Sequence, residues 1–183
     1  MSTTTLITAE QLLRMPQYER GYELVAGEIR KMTPTGGTHG VVTTELAFQL
    51  RGYVKAHGLG RVLTGEPGFI LARDPDTVLA PDVAFVRKER LAAEPIGDGF
   101  VSGPPDLAVE VLSPGDRMAE AREKAKAWLA AGAAMVWVVN PARRTVTVYR
   151  PSAGPKTLTE ADELDGQDVV PGFRCRVAEL FVL

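Results

Sequence analysis

The chain has 183 residues, 45% hydrophobic and 24% charged, a length and balance that suit one compact soluble domain spanning 1–183. Its formal net charge of −2 lacks the basic footprint of many nucleic-acid binders, although an enzyme that brings a divalent metal to phosphate supplies positive charge that way. The single Cys175 excludes an internal disulfide and a multi-cysteine zinc site, and having only His39 and His57 argues against a histidine-rich zinc centre.

Thr8-Ala9-Glu10-Gln11 has capping-box spacing and predicts a short helix ending before Pro16. Tyr22–Val25 and Glu28–Met32, joined by Ala26-Gly27, predict a hairpin. After the breaker-rich loop Thr33–Gly37, Val42, Leu46, Leu50, Tyr53 and Val54 recur at helical spacing from Thr38 to about His57. Strands are predicted at Arg61–Thr64, Gly68–Leu71, Val78–Val86 and Asp106–Leu112, with Lys88–Pro105 as a surface excursion. Asp116 is the predicted N-cap of a helix whose apolar face is Met118, Ala121, Ala125, Trp128 and Leu129, ended by Gly132. Met135–Val139 reads as a buried strand and Thr145–Arg150 as its hairpin partner. The tail from Pro151 carries weak strand signals and a short helix-like end at Val177–Phe181. The order predicts an α/β (α+β) fold, a mixed central sheet flanked by helices, with a right-handed strand–helix–strand crossover around 107–139.

The apolar runs are too short to span a membrane, and residues 1–16 lack the basic-then-apolar order of a secretory leader, so a cytoplasmic protein without a membrane partner is expected. Nucleotide-binding and serine-hydrolase loops are missing: there is no Gly-x-x-x-x-Gly-Lys-Ser/Thr, Gly-x-Gly-x-x-Gly or Gly-x-Ser-x-Gly.

The residue that stands out is Glu110, in the run PDLAVEVLSPGD from Pro105 to Asp116. Flanked by Leu107, Ala108, Val109, Val111 and Leu112, it sits in a strand buried on both faces, where an ionised carboxylate costs several kcal/mol unless compensated. Asp82, in Val78–Val86 beside Pro81, is a second carboxylate among apolar residues. Pro81 cannot donate to a ladder, so the strand is irregular or at an edge there. Two carboxylates on neighbouring strands call for a positive charge between them, and a hard divalent cation held by one or two carboxylates satisfies this. A buried arginine paired with Glu110 satisfies it equally. Lys124 lies on the flank of the third helix one turn before Trp128, where its stem can bring the ammonium toward the strand ends; a solvated pair with Glu120 is the alternative. Lys126 points to solvent. Glu23 is either the polar half of an alternating strand or a fourth member of this set.

Tyr22-Glu23-Leu24-Val25-Ala26-Gly27-Glu28, then His39, Pro81-Asp82-Val83, Pro105–Pro114, Glu123-Lys124, Trp128, Ala131-Gly132 and Val136–Pro141 together resemble the "putative restriction endonuclease" family of the PD-(D/E)XK nuclease superfamily, over about Thr8 to Phe181. The resemblance implies a restriction-endonuclease-like core and a metal-dependent DNA endonuclease. Asp82 matches the aspartate of the first half-motif and Glu110 the acid of the second, together the ligands of Mg²⁺, for which Mn²⁺ can substitute. Leu112 stands where the superfamily pattern has lysine; Lys124, from the following helix, matches the catalytic lysine. Glu23 matches a catalytic acid from the first helix–strand region. His39, at the start of the long helix after Gly36-Gly37, is a substrate contact through phosphate or a packing residue. DNA is the implied partner, and a homodimer is consistent with cutting two strands. Two alternatives fit the same residues: a catalytically weak or inactive nuclease-fold module that binds nucleic acid, and an interaction protein with Glu110 ion-paired.

Overall fold

The computed structural model describes residues 6–16 and 21–182. Residues 1–5, part of the stretch read for a leader, lie outside the described residues, as do 17–20 and 183. Among the described residues no helix is long and apolar enough to cross a membrane.

Helix α1 (Ala9–Leu13) opens with the expected capping box: Gln11 N donates to Thr8 Oγ1 at 3.2 Å and Thr8 N donates to Gln11 Oε1 at 2.7 Å. Strands β1 (Tyr22–Val25) and β2 (Glu28–Lys31) form the predicted antiparallel hairpin. Its turn places Ala26 and Gly27 at φ of 50° and 80°, the paired positive values a two-residue hairpin requires. Helix α2 (Gly37–Ala56) buries Val42, Leu46, Leu50 and Val54 as its spacing predicted.

The remaining strands are β3 (Gly60–Thr64), β4 (Phe69–Ala72), β5 (Thr77–Leu79), β6 (Val83–Arg87), β7 (Val101–Ser102), β8 (Leu107–Val111), β9 (Met135–Asn140), β10 (Thr145–Arg150), β11 (Ala153–Leu158), β12 (Glu163–Asp165) and β13 (Arg174–Arg176). Helix α3 (Lys88–Ala93) follows β6, α4 (Met118–Ala130) joins β8 to β9, and a 3₁₀ turn closes the chain at Val177–Phe181. The central sheet runs β11-β10-β9-β8-β6-β3, with β8 and β9 parallel and the other pairs antiparallel. A second sheet, β2-β1-β5-β4-β7, holds the N-terminal hairpin, and β12–β13 is a small ribbon.

Period-two alternation along β8 divides the molecule. Leu107, Val109 and Val111 pack with α2 and the C-terminal turn, while Ala108 and Leu112 pack with Ala121, Ala125 and Trp128 of α4. Glu110 shares the parity of Ala108 and Leu112, so it faces α4.

Three expectations are corrected. The single strand Val78–Val86 is two strands in two sheets, β5 and β6, because Pro81 has no N–H for a ladder and the chain changes sheets at Ala80-Pro81-Asp82. The excursion Lys88–Pro105 lies at the surface as expected, but it carries regular structure, α3 and β7. Asp116 is not the N-cap of α4: Arg117 holds that position, and Asp116 Oδ2 accepts from Ser113 N at 2.7 Å, closing the turn after β8.

Asp76 fastens α1 to the second sheet. Its Oδ2 accepts from Ala9 N at 2.7 Å and Arg73 Nη1 at 2.8 Å, and its Oδ1 from Asp74 N at 3.3 Å. The Ala9 bond, then those of Asp74 and Arg73, hold this carboxyl below its usual range against the opposing effect of burial. A depressed folded pKa gives stability that is complete above the ordinary value of 3.8 and is lost as pH falls through the folded one. Asp76→Ala is therefore expected to cost about 1–3 kcal/mol at neutral pH by orphaning the N–H of buried Ala9. The gap between wild type and variant should shrink on acidification below about pH 4, as read from urea unfolding at several pH values.

Candidate active site

Asp82 ends the connector between β5 and β6. Its N–H donates to Val109 O at 3.0 Å, and its Oδ2 accepts from Val111 N at 2.6 Å. The carboxylate thus continues along β8 the ladder that β6 begins at Val83–Val109, and it straddles Glu110. On its other side, Asp82 Oδ1 lies 3.1 Å from His39 Nε2. His39 is buried in the first turn of α2, with Nδ1 3.4 Å from Thr43 Oγ1. The hydrogen bond with Asp82 raises its pKa against burial, helped by the charges of Asp82, Asp116 and Glu66. Its ring faces Asp82 and not an open helix end.

The cation that Glu110 requires is Lys124, not an arginine. Glu110 Oε2 accepts from Lys124 Nζ at 2.9 Å, and Oε1 accepts from Trp128 Nε1 at 2.8 Å. Lys124 and Trp128 are one turn apart on α4, so a single helix face supplies both donors. The indole also packs edge-on against Phe69 of β4, with centroids 6.0 Å apart. Lys124 does not pair with Glu120: its Nζ also contacts Glu23 Oε1 at 2.8 Å and Ala80 O at 3.2 Å. Lys126 is exposed and pairs with Glu123, as its solvent-facing position predicted. Alternation along β1 turns Leu24 into the α1 cluster and Val25 toward the α4 core, so Glu23 shares the α4 side. Ala80 N donates to Glu23 Oε1 at 2.9 Å.

The structure therefore brings all five predicted residues together: Glu23 from the second sheet, Asp82 from the crossing between sheets, Glu110 from the central sheet, Lys124 from α4 and His39 from α2. Sequence reasoning missed Trp128 as a polar partner, having counted it only as core. The signal was a buried indole N–H, which needs an acceptor, on the same face as a lysine. The role of the Ala80 peptide had no sequence signal.

The charges do not balance. Glu23 and Glu110 share one lysine and Asp82 faces His39, which with all three carboxylates ionised leaves two negative charges, or one if His39 is protonated. Burial pushes Glu110 up to about 7; Lys124 pulls the other way, while Asp82 and then Glu23 add to the rise. Burial favours a neutral Lys124, but the Glu110 and Glu23 carboxylates outweigh it and hold the lysine above its usual range. Among the described residues no group of three or more His, Cys, Asp or Glu side chains is placed to hold a metal ion. Asp82 and Glu110 are nevertheless a fit for a hard cation. Their donors are all oxygen, Mg²⁺ takes one or two carboxylates plus waters and phosphate oxygens, and each oxygen already hydrogen-bonded once keeps a further lone pair.

These features define a protein of restriction-endonuclease-like fold. A crystal structure described as a putative nuclease belonging to DUF820, from Anabaena variabilis ATCC 29413, matches with a TM-score of 0.81 at 22% identity, covering 96% of this chain and 97% of that one. The chain belongs to the Uma2 family, described as putative restriction endonuclease, whose model matches residues 9–178. No curated protein matches it.

Proposed function

We propose that the protein is a Mg²⁺-dependent endonuclease that hydrolyses phosphodiester bonds in DNA, with Asp82 and Glu110 holding the ion and Mn²⁺ able to replace it. The observation that carries this is the pairing of Glu110 and Glu23 with one lysine where two sheets meet, with Asp82 joined to the neighbouring Val111 N–H of the same strand and negative charge left over. Family membership supports the same reaction class. The bound ion would supply Lewis-acid polarisation of the phosphate and a water of lowered pKa.

The chain's own groups do the rest. Val111 N–H and His39 fix the two oxygens of Asp82. Trp128 fixes Oε1 of Glu110, so both carboxylates are oriented before substrate arrives. Lys124, with one N–H released, orients the attacking water or meets the charge gathering on the phosphoryl oxygens. Water attacks phosphorus in line with the leaving oxygen and gives its proton to solvent, the P–O bond to the leaving group breaks and solvent protonates the departing alkoxide; no enzyme side chain is bonded to the substrate. We assign His39 to orienting Asp82, since its ring is already spent there.

Two observations favour a non-catalytic DNA-binding module: Leu112 stands at the usual lysine position, and every N–H of Lys124 is engaged. Supercoiled plasmid separates the two functions. Nicking in Mg²⁺ or Mn²⁺ that chelator abolishes is the expected result; plasmid that is bound and never cut would establish the module instead.

A further inference from the structure

We infer that Glu23 is a positioning residue, the tether of Lys124, and not a ligand of the metal; the inference rests on the nuclease function proposed above. Glu23 Oε1 accepts from Lys124 Nζ at 2.8 Å and from Ala80 N at 2.9 Å, while Ala80 O accepts from the same ammonium at 3.2 Å. The ammonium is thus held by a carboxylate and a peptide carbonyl that are locked to each other, at the point where the chain leaves β5 for β6.

An ammonium has three N–H donors. Two are on this Glu23–Ala80 unit and the third is on Glu110 Oε2 at 2.9 Å. For Lys124 to address water or phosphate, one bond must open. Glu23 and Ala80 hold as a unit, and Ala80 is buried. Glu110 is different: Trp128 keeps its Oε1 in place while Oε2 exchanges partners, from Lys124 to a cation. The Lys124–Glu110 contact is the one that opens. Glu23 then keeps the ammonium beside the site and away from solvent, to which the Lys124 side chain is 25% exposed. Glu23 reaches this point from β1 of the second sheet, whereas Asp82 immediately precedes β6 and Glu110 lies on the adjoining β8 of the central sheet, where Asp82 Oδ2 accepts from the N–H of the residue after Glu110.

The test uses Mn²⁺ alone as the probe, on purified wild type and Glu23→Gln. Glutamine retains an oxygen acceptor for Ala80 N–H, and far-UV circular dichroism verifies the fold. The variant is expected to bind the same number of Mn²⁺ ions as wild type, with Kd within about 100-fold, the upper range for a residue behind a metal ligand. Its kcat on plasmid at saturating Mn²⁺ should fall by at least about 100-fold, the lower range for a displaced proton-transfer or water-orienting group. Lys124 should resist amine-reactive labelling in Mn²⁺-loaded wild type and be labelled in Mn²⁺-loaded Glu23→Gln, since Glu110 has then turned to the cation and a neutral amide holds the ammonium less firmly than a carboxylate. Fewer bound ions, a larger loss of affinity, unchanged kcat or equal protection of Lys124 in the two proteins would each overturn the tether. Absence of Mn²⁺ binding to wild type is a separate result: it rejects the nuclease function, and the tether with it.

Discussion

Asp82→Asn is expected to reduce Mg²⁺-dependent nicking of plasmid by at least about 1,000-fold with little change in stability. The loss of one of two anionic ligands removes several kcal/mol of Lewis-acid stabilisation, and each ~1.4 kcal/mol is a factor of ten in rate. The choice of asparagine matters. Asp82 Oδ2 accepts from the buried Val111 N–H at 2.6 Å and the Asp82 backbone is in the ladder with Val109, so the residue is a structural joint as well as a candidate ligand. Asparagine keeps an oxygen for Val111; alanine would orphan that donor at about 1–3 kcal/mol and confuse unfolding with loss of chemistry. Full activity in a folded Asp82→Asn protein would remove this residue from the metal site.

Lys124→Met is expected to destabilise the protein by about 3–5 kcal/mol at pH near 8, because it leaves the buried Glu110 and Glu23 carboxylates without their cation. The side chains of Lys124, Glu110 and Glu23 are 25%, 10% and 12% exposed, so solvent does little to screen the loss. Two further results separate this cause from simple repacking. Adding Glu110→Gln to Lys124→Met should restore part of the stability, since the uncompensated charge is then gone. Lowering the pH should also narrow the gap to wild type, because Glu110, already raised to about 7 by burial, takes up a proton more readily still once the lysine is absent. Urea unfolding of the three proteins at two pH values reads all of this; a double variant no more stable than Lys124→Met would place the effect in packing of the lysine stem.

The parts of the fold legible in the sequence are those set by near neighbours. The α1 capping box, the Ala26-Gly27 turn and the 3.6-residue spacing of α2 are each decided within a few residues, and each forms as the sequence predicts. The hairpin β1–β2 and strand β4 were legible, but their assembly into a second sheet was not. Strands β5 and β7 have three and two residues, too short for a period to show, and β5 meets β1 only through Leu24–Val78, more than fifty residues apart in sequence. Pro81 signalled a fault in Val78–Val86, but a missing donor does not say where the chain goes next, and it goes to another sheet.

The site divides along the same line. Glu110 announced itself because a carboxylate in an all-apolar strand demands compensation, and the helix stripe put Lys124 within reach. That Lys124 would prefer Glu110 and Glu23 to Glu120 depends on how α4 lies across β8 and β1, a tertiary fact. The His39–Asp82 contact joins residues 43 apart through the placement of α2, and no local pattern encodes it. Trp128 was visible and misjudged: an indole is counted with the core by its area, yet its N–H here is what holds Glu110 Oε1.

The central claim is that Asp82 and Glu110 form one cation site where β6 meets the end of β8. It is tested most directly by titrating Mn²⁺ into wild type, Asp82→Asn and Glu110→Gln at about pH 8, where Glu110 is largely ionised. A saturable site in wild type that both substitutions abolish is the predicted result. Equal binding in all three proteins, or none in wild type, would contradict it.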